Sequence, residues 1–156
     1  FGGVDSQAAP LARRIKQLGM NATLMGAGGF VSQTFLQLAQ KEGDGVVALE
    51  PGLPVEQMPG GKAFEQSYQS RYHTHIELHA PFAYDATRVL VAAMEKADSV
   101  DPADYLPALR AINYAGVTGQ IAFDKEGNLK SPTFTVYKVV DGKWQPQTVL
   151  GGATTK

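Results

Sequence analysis

Cysteine is absent from this chain of 156 residues. That removes disulfide frameworks, thiolate nucleophiles and thiolate metal sites together, and leaves the redox compartment open. Excess charge of either sign is missing too: 14 Lys and Arg stand against 15 Asp and Glu, a formal net charge of −1. With no basic surplus to neutralise phosphates or hold an anionic membrane surface, nucleic acid is not an expected partner. Long apolar runs are also lacking. Stretches such as Val46-Val47-Ala48-Leu49 fall far short of the roughly 20 residues that cross a bilayer. Phe1-Gly2-Gly3 has neither the basic start nor the apolar middle of a signal peptide, so the expectation is a chain that begins inside a longer parent.

What is present is the composition of a folded globular piece: 44% hydrophobic residues and 19% charged, too apolar and too weakly charged for a disordered tail. Asp5 and Ser6 precede Leu11, Ile15 and Leu18 at helical spacing, with Pro10 in an early turn and Gly19 as a stop. Asn21 to Met25 reads as a short strand, Gly26 to Gly29 as a loop, Ser32 as the cap of a helix bearing Phe35, Leu36 and Leu38, and Asp44 to Leu49 as a buried strand. Strands alternating with helices through short loops predict an α/β unit built on a parallel sheet with flanking helices.

From Glu50 to Gly61 the chain turns to Pro51, Gly52, Pro54, Pro59 and Gly60, which suits a linker between lobes and not an element interior. Helices are predicted over about 62–72, 82–97 and 102–113, the last opened by Asp101-Pro102 and interrupted by Pro107. After Gly116 the pattern becomes antiparallel: a strand over Gly119 to Phe123, a turn at Asp124 to Asn128, a strand from Thr133 to Val140, an Asp141-Gly142 hairpin turn and a last strand around Trp144 to Val149.

Four stretches carry a resemblance. Phe1-Gly2-Gly3-Val4-Asp5 opens a helix, Leu24-Met25-Gly26 precedes a Gly-rich turn, Pro81-Phe82-Ala83-Tyr84-Asp85-Ala86 opens another helix, and Gly116-Val117-Thr118-Gly119 leads into Ile121, Phe123-Asp124 and Gly127. In this order the chain resembles the later half of the Leu/Ile/Val-binding family of periplasmic solute-binding proteins, over Phe1 to about Val149. The resemblance implies a type I two-lobed fold closing on a small-molecule ligand such as an amino acid or analogue. It implies a periplasmic location, ABC permease subunits as the partner, and neither cofactor nor metal. On that template 1–50 belongs to the second lobe, 51–116 to the later helices of the first, 117–150 to a return to the second, and 151–156 is a tail.

Candidate ligand-binding residues follow. Strand-to-helix loops at the carboxyl ends of parallel strands expose amide donors to an anion, which singles out the Phe1–Asp5 and Met25–Phe30 loops; their glycines could equally serve tight turns. By resemblance, Val4 stands where a large apolar residue lines the pocket, with Asp5 beside it. Gly28 stands where the family carries the acid that pairs with the ligand's ammonium group. An unpartnered buried ammonium costs several kcal/mol, so Asp5 or a residue outside this chain is expected to substitute, or the ligand lacks an amine. His79 falls where relatives place an aromatic against the ligand side chain. Asp85, near the start of its helix, reads as a structural residue suited to the helix dipole.

His73, His75 and His79 invite a metal, but β-branched Thr74 and Ile76 argue against the helical face that would align them, and no third ligand has a fixed spacing. No serine sits in a Gly-x-Ser-x-Gly elbow and Gly26-Ala27-Gly28-Gly29 lacks the rest of a nucleotide fingerprint, so an enzyme is not expected. A sensor domain on the same fold is the competing expectation. With half of each lobe missing, apolar sheet edges would be left open, and a homodimer formed by strand exchange is a further expected arrangement.

Overall fold

A computed structural model of the chain describes residues 1–77 and 79–152. It divides into two compact units, one of Phe1–Leu53 with the segment from Thr133 onward, the other of Pro54–Pro132.

The first unit holds α1 (Asp5–Gln17), β1 (Met25–Ala27), α2 (Gln33–Ala39) and β2 (Val47–Pro51). Of the later strands, β3 (Asn113–Ala115) and β4 (Gln120–Ala122) lie in the second unit, and β5 (Thr133–Val140) and β6 (Lys143–Gly151) complete the first. Its sheet runs in the order β1-β2-β5-β6. β1 and β2 are parallel, joined by α2 as the crossover, while β5 and β6 add antiparallel to β2 and to each other. The mixed sheet with flanking helices and antiparallel strands toward the end of the chain matches the fold class read from sequence. Asp141 and Gly142 both take positive φ, 51° and 70°, the primed turn that suits the twist of a two-residue hairpin.

The core differs from the sequence reading in one respect. On α1 the buried stripe is Ala8, Ala9 and Ala12 with Ile15 packed against it, whereas Leu11 and Leu18 face outward. Small side chains let α1 lie close to α2, and the volume is filled instead by Phe30 and Phe35, both fully buried. Their rings sit 5.3 Å apart, and Trp144 lies 5.4 Å from Phe35. Each buried phenylalanine contributes about 1.5–3 kcal/mol of apolar burial. Pro10 lies inside α1, and β1 begins at Met25, four residues after the predicted start of that strand.

The second unit comprises α3 (Gly61–Tyr72), α4 (Ala80–Ala97), α5 (Pro102–Arg110) and the hairpin of β3 (Asn113–Ala115) with β4 (Gln120–Ala122). Asp101 caps α5 by accepting from the Ala103 amide at 2.9 Å, and Pro102 follows at the first turn. Pro107 is taken into the helix, which ends three residues later at Arg110. Asn113, predicted as the end of this helix, is the first residue of β3 instead.

Two corrections concern boundaries. Glu50 and Pro51, assigned to the linker, are the last residues of β2. The chain rejoins the first unit at Thr133, not at 117, so residues 117–132 lie in the second unit. Gly151 ends β6, and the rest of the expected tail beyond 152 lies outside the described residues.

Asp85 also takes a different place. It is the sixth residue of α4, 2% exposed, and its carboxylate accepts from the Val117 amide at 2.9 Å, the Thr118 amide at 2.8 Å and the Thr118 hydroxyl at 2.7 Å. The role is structural as predicted, but the mechanism is a clasp on the β3–β4 turn 32 residues away, not an interaction with its own helix end. A Cβ on Gly116 would come within 2.5 Å of Asp85 Oδ2, which explains the glycine at the head of Gly116-Val117-Thr118-Gly119.

Candidate functional site

The parallel pair brings two strand ends to one edge of the first unit's sheet. Ala27 and Leu49 are the last partners in register, so Gly28 and Glu50 emerge side by side at the carboxyl ends, the edge at which open α/β sheets receive ligands. The Phe1 nitrogen donates to Met25 O at 2.9 Å and lays residues 1–4 along the same edge. A Cβ on Gly26 would stand 2.6 Å from Phe1 O, and one on Gly29 would stand 2.7 Å from Gly3 O. None of Gly26, Gly28 and Gly29 has positive φ. Gly26 and Gly29 therefore serve close approach of backbone to backbone and Gly28 the approach of a side chain, not the left-handed turns that glycine otherwise permits.

Val4 is the N-cap residue of α1 and 52% exposed. Asp5 begins α1, and its Oδ1 accepts from the Ser32 hydroxyl at 2.5 Å. Ser32 in turn accepts from the Phe35 amide at 3.0 Å as the predicted cap of α2, so Asp5 joins the starts of two helices and is committed to that bond. Ser32→Ala removes both bonds, and urea denaturation should show a loss of about 1–2 kcal/mol; a loss within error would mean that the cap is redundant. The structure thus gathers Val4, Asp5 and Gly28 at one end of the first unit. His79 belongs to the second unit, exposed at the N-cap position of α4.

The residue missed in sequence is Glu50. It is 1% exposed, and neither carboxyl oxygen has a hydrogen-bond partner. Thr135 lies opposite it in the β2–β5 ladder, but the Thr135 hydroxyl donates to Gly52 O at 2.7 Å. A Cβ on Gly28 would fall 2.2 Å from both Glu50 oxygens. The Glu50 carboxyl group therefore occupies the volume that any side chain at position 28 would need. Burial alone, with no compensating charge, pushes its pKa from 4.5 up to about 7. A signal existed in the sequence: Glu50 shares the strand face of buried Ala48 two residues earlier, and a carboxylate on the inward face of a strand is unusual. Pro51-Gly52 obscured it by suggesting that the strand had already ended.

The second unit carries an open groove of about 600 Å³ lined by Phe64, Tyr68, Arg71, Tyr72 and Tyr84, among others. The Tyr84 ring packs 5.2 Å from that of Phe64. The bulk of this lining is apolar and aromatic.

The chain resembles known proteins in sequence and in fold. The chain is 33% identical over 138 residues to a leucine-, isoleucine-, valine-, threonine- and alanine-binding protein of Pseudomonas aeruginosa, an alignment that covers 88% of this chain and 37% of that protein. The fold is similar to that of a leucine-binding protein from Thermotoga maritima MSB8, with a TM-score of 0.83 at 22% identity over 96% of this chain and 43% of the other. It is likewise similar to a branched-chain amino acid transporter substrate-binding protein from Streptococcus pneumoniae in complex with isoleucine, with a TM-score of 0.79, 21% identity and the same coverage. The chain spans well under half the length of these relatives. A family model described as periplasmic binding protein matches residues 1–143, and the chain belongs to that family.

Proposed function

We propose that this chain is part of the solute-binding component of an ABC transporter, and that the parent protein binds a branched-chain amino acid or a similar small solute between two lobes. Closure on the solute would present a surface to the permease, in the periplasm, with nothing chemically transformed. The observation that carries the reading is the convergence, at the carboxyl ends of β1 and β2, of the Phe1–Asp5 segment that opens α1 and the Gly26–Phe30 turn. The carboxyl ends of parallel strands are where open α/β sheets receive small polar solutes. The amino acid binding named for the relatives supports the same class of ligand. Val4 would contribute apolar contact to the solute, and His79 is the further candidate contact carried by this chain.

Thermal unfolding of the full-length parent against aliphatic amino acids and their deaminated 2-oxo analogues tests the proposal. A solute present at about 100 times its Kd stabilises the folded state by about 2.7 kcal/mol, so at least one compound should raise the melting temperature by several degrees. A flat response across both sets would remove the solute-binding reading.

A further inference from the structure

Two carboxylates are buried among the described residues, and they contrast. Asp85 is served by three donors; Glu50 is served by none. An ionised carboxyl group in such a place is strongly disfavoured unless a donor reaches it. Among the described residues no donor reaches it: Gly28 has no side chain, and the Thr135 hydroxyl is already directed to Gly52 O. The group also stands at the carboxyl end of a parallel strand, next to the bare backbone of Gly28. This is a poor site for a structural residue and a well-placed one for a residue whose partner arrives from outside.

We infer that Glu50 is a specificity-determining residue for the bound solute, pairing its carboxylate with a protonated amine on a ligand seated at the ends of β1 and β2. The inference rests on the solute-binding reading given above and narrows it to amine-bearing solutes. Gly28 is the complement of this arrangement. Because its missing Cβ leaves the space that the Glu50 carboxyl group fills, no side chain at position 28 stands between that group and a solute at the strand ends. A larger residue at 28 and an acid at 50 would exclude each other.

The experiment is calorimetry on the full-length parent with two probes of matched shape, L-leucine and its deaminated analogue 4-methyl-2-oxopentanoate. Glu50→Gln keeps the shape and removes the charge. It should weaken L-leucine by about 10- to 100-fold, the worth of one charge-assisted hydrogen bond, and leave the oxo acid within about threefold, since that probe carries no amine for the lost charge to serve. A second variant, Gly28→Glu combined with Glu50→Ala, returns a carboxylate to the same volume from the other strand and should recover much of the L-leucine affinity. Equal losses for both probes in Glu50→Gln, or no loss for either, would overturn the inference while leaving the solute-binding reading in place. A parent that binds the oxo acid but not L-leucine would do the same. A parent that binds neither probe, nor any other solute of the panel, removes both readings together.

Discussion

Asp85→Ala should destabilise the second unit by about 3–5 kcal/mol in urea denaturation, the range expected when a buried charged acceptor is taken from its donors. Three bonds converge on this carboxylate, at 2.7, 2.8 and 2.9 Å. Their removal leaves the amides of Val117 and Thr118 without that acceptor in a part-buried turn. The clasp joins α4 to the β3–β4 hairpin, two short strands of three residues each that have little packing of their own to hold them. Asp85→Asn tests the cause: it keeps the shape but halves the accepting capacity and turns an amide toward donors, so it should retain only part of the lost stability. If alanine costs less than about 1 kcal/mol, the hairpin is held by something other than Asp85.

A second large effect is a change of stability with pH that disappears in Glu50→Gln. The folded-state pKa is about 7 against an ordinary 4.5. Below pH 4.5 Glu50 is protonated whether the chain is folded or not, and it imposes no penalty. Between 4.5 and 7 only the unfolded chain loses the proton, so stability falls as pH rises through this window. Above 7 the penalty is complete, about 3 kcal/mol. Glu50→Gln should therefore match the parent chain near pH 4 and exceed its stability by about that amount at pH 8, as read from denaturation midpoints at the two pH values. A constant difference between them would show that Glu50 ionises freely in the folded state. Retaining a group that weakens the ligand-free protein at neutral pH is the trade expected when a residue serves binding and not folding, and an arriving cation would relieve the penalty.

Local chemistry was legible along the chain wherever a feature depends on near neighbours. Asp141-Gly142 specified its turn because both residues tolerate positive φ, and Ser32 and Asp101 declared two helix starts through their own side-chain oxygens. The order of elements, and from it the α/β class, followed from such signals, while four motif stretches carried the resemblance to the family. Partners distant in the chain were not legible. Gly28 and Glu50 are separated by a helix and a strand, so nothing in either residue's neighbourhood reveals that the missing side chain of one houses the carboxylate of the other. Asp85 was placed near the right helix end but was given the wrong partner, because its donors come from a turn 32 residues later. The inward face of α1 was assigned to leucines by hydrophobicity. Phe30 after β1 and Phe35 on α2 fill the volume there, so Ala8, Ala9 and Ala12 turn inward with Ile15 beside them, and how much room is left is known only once the other elements are in place.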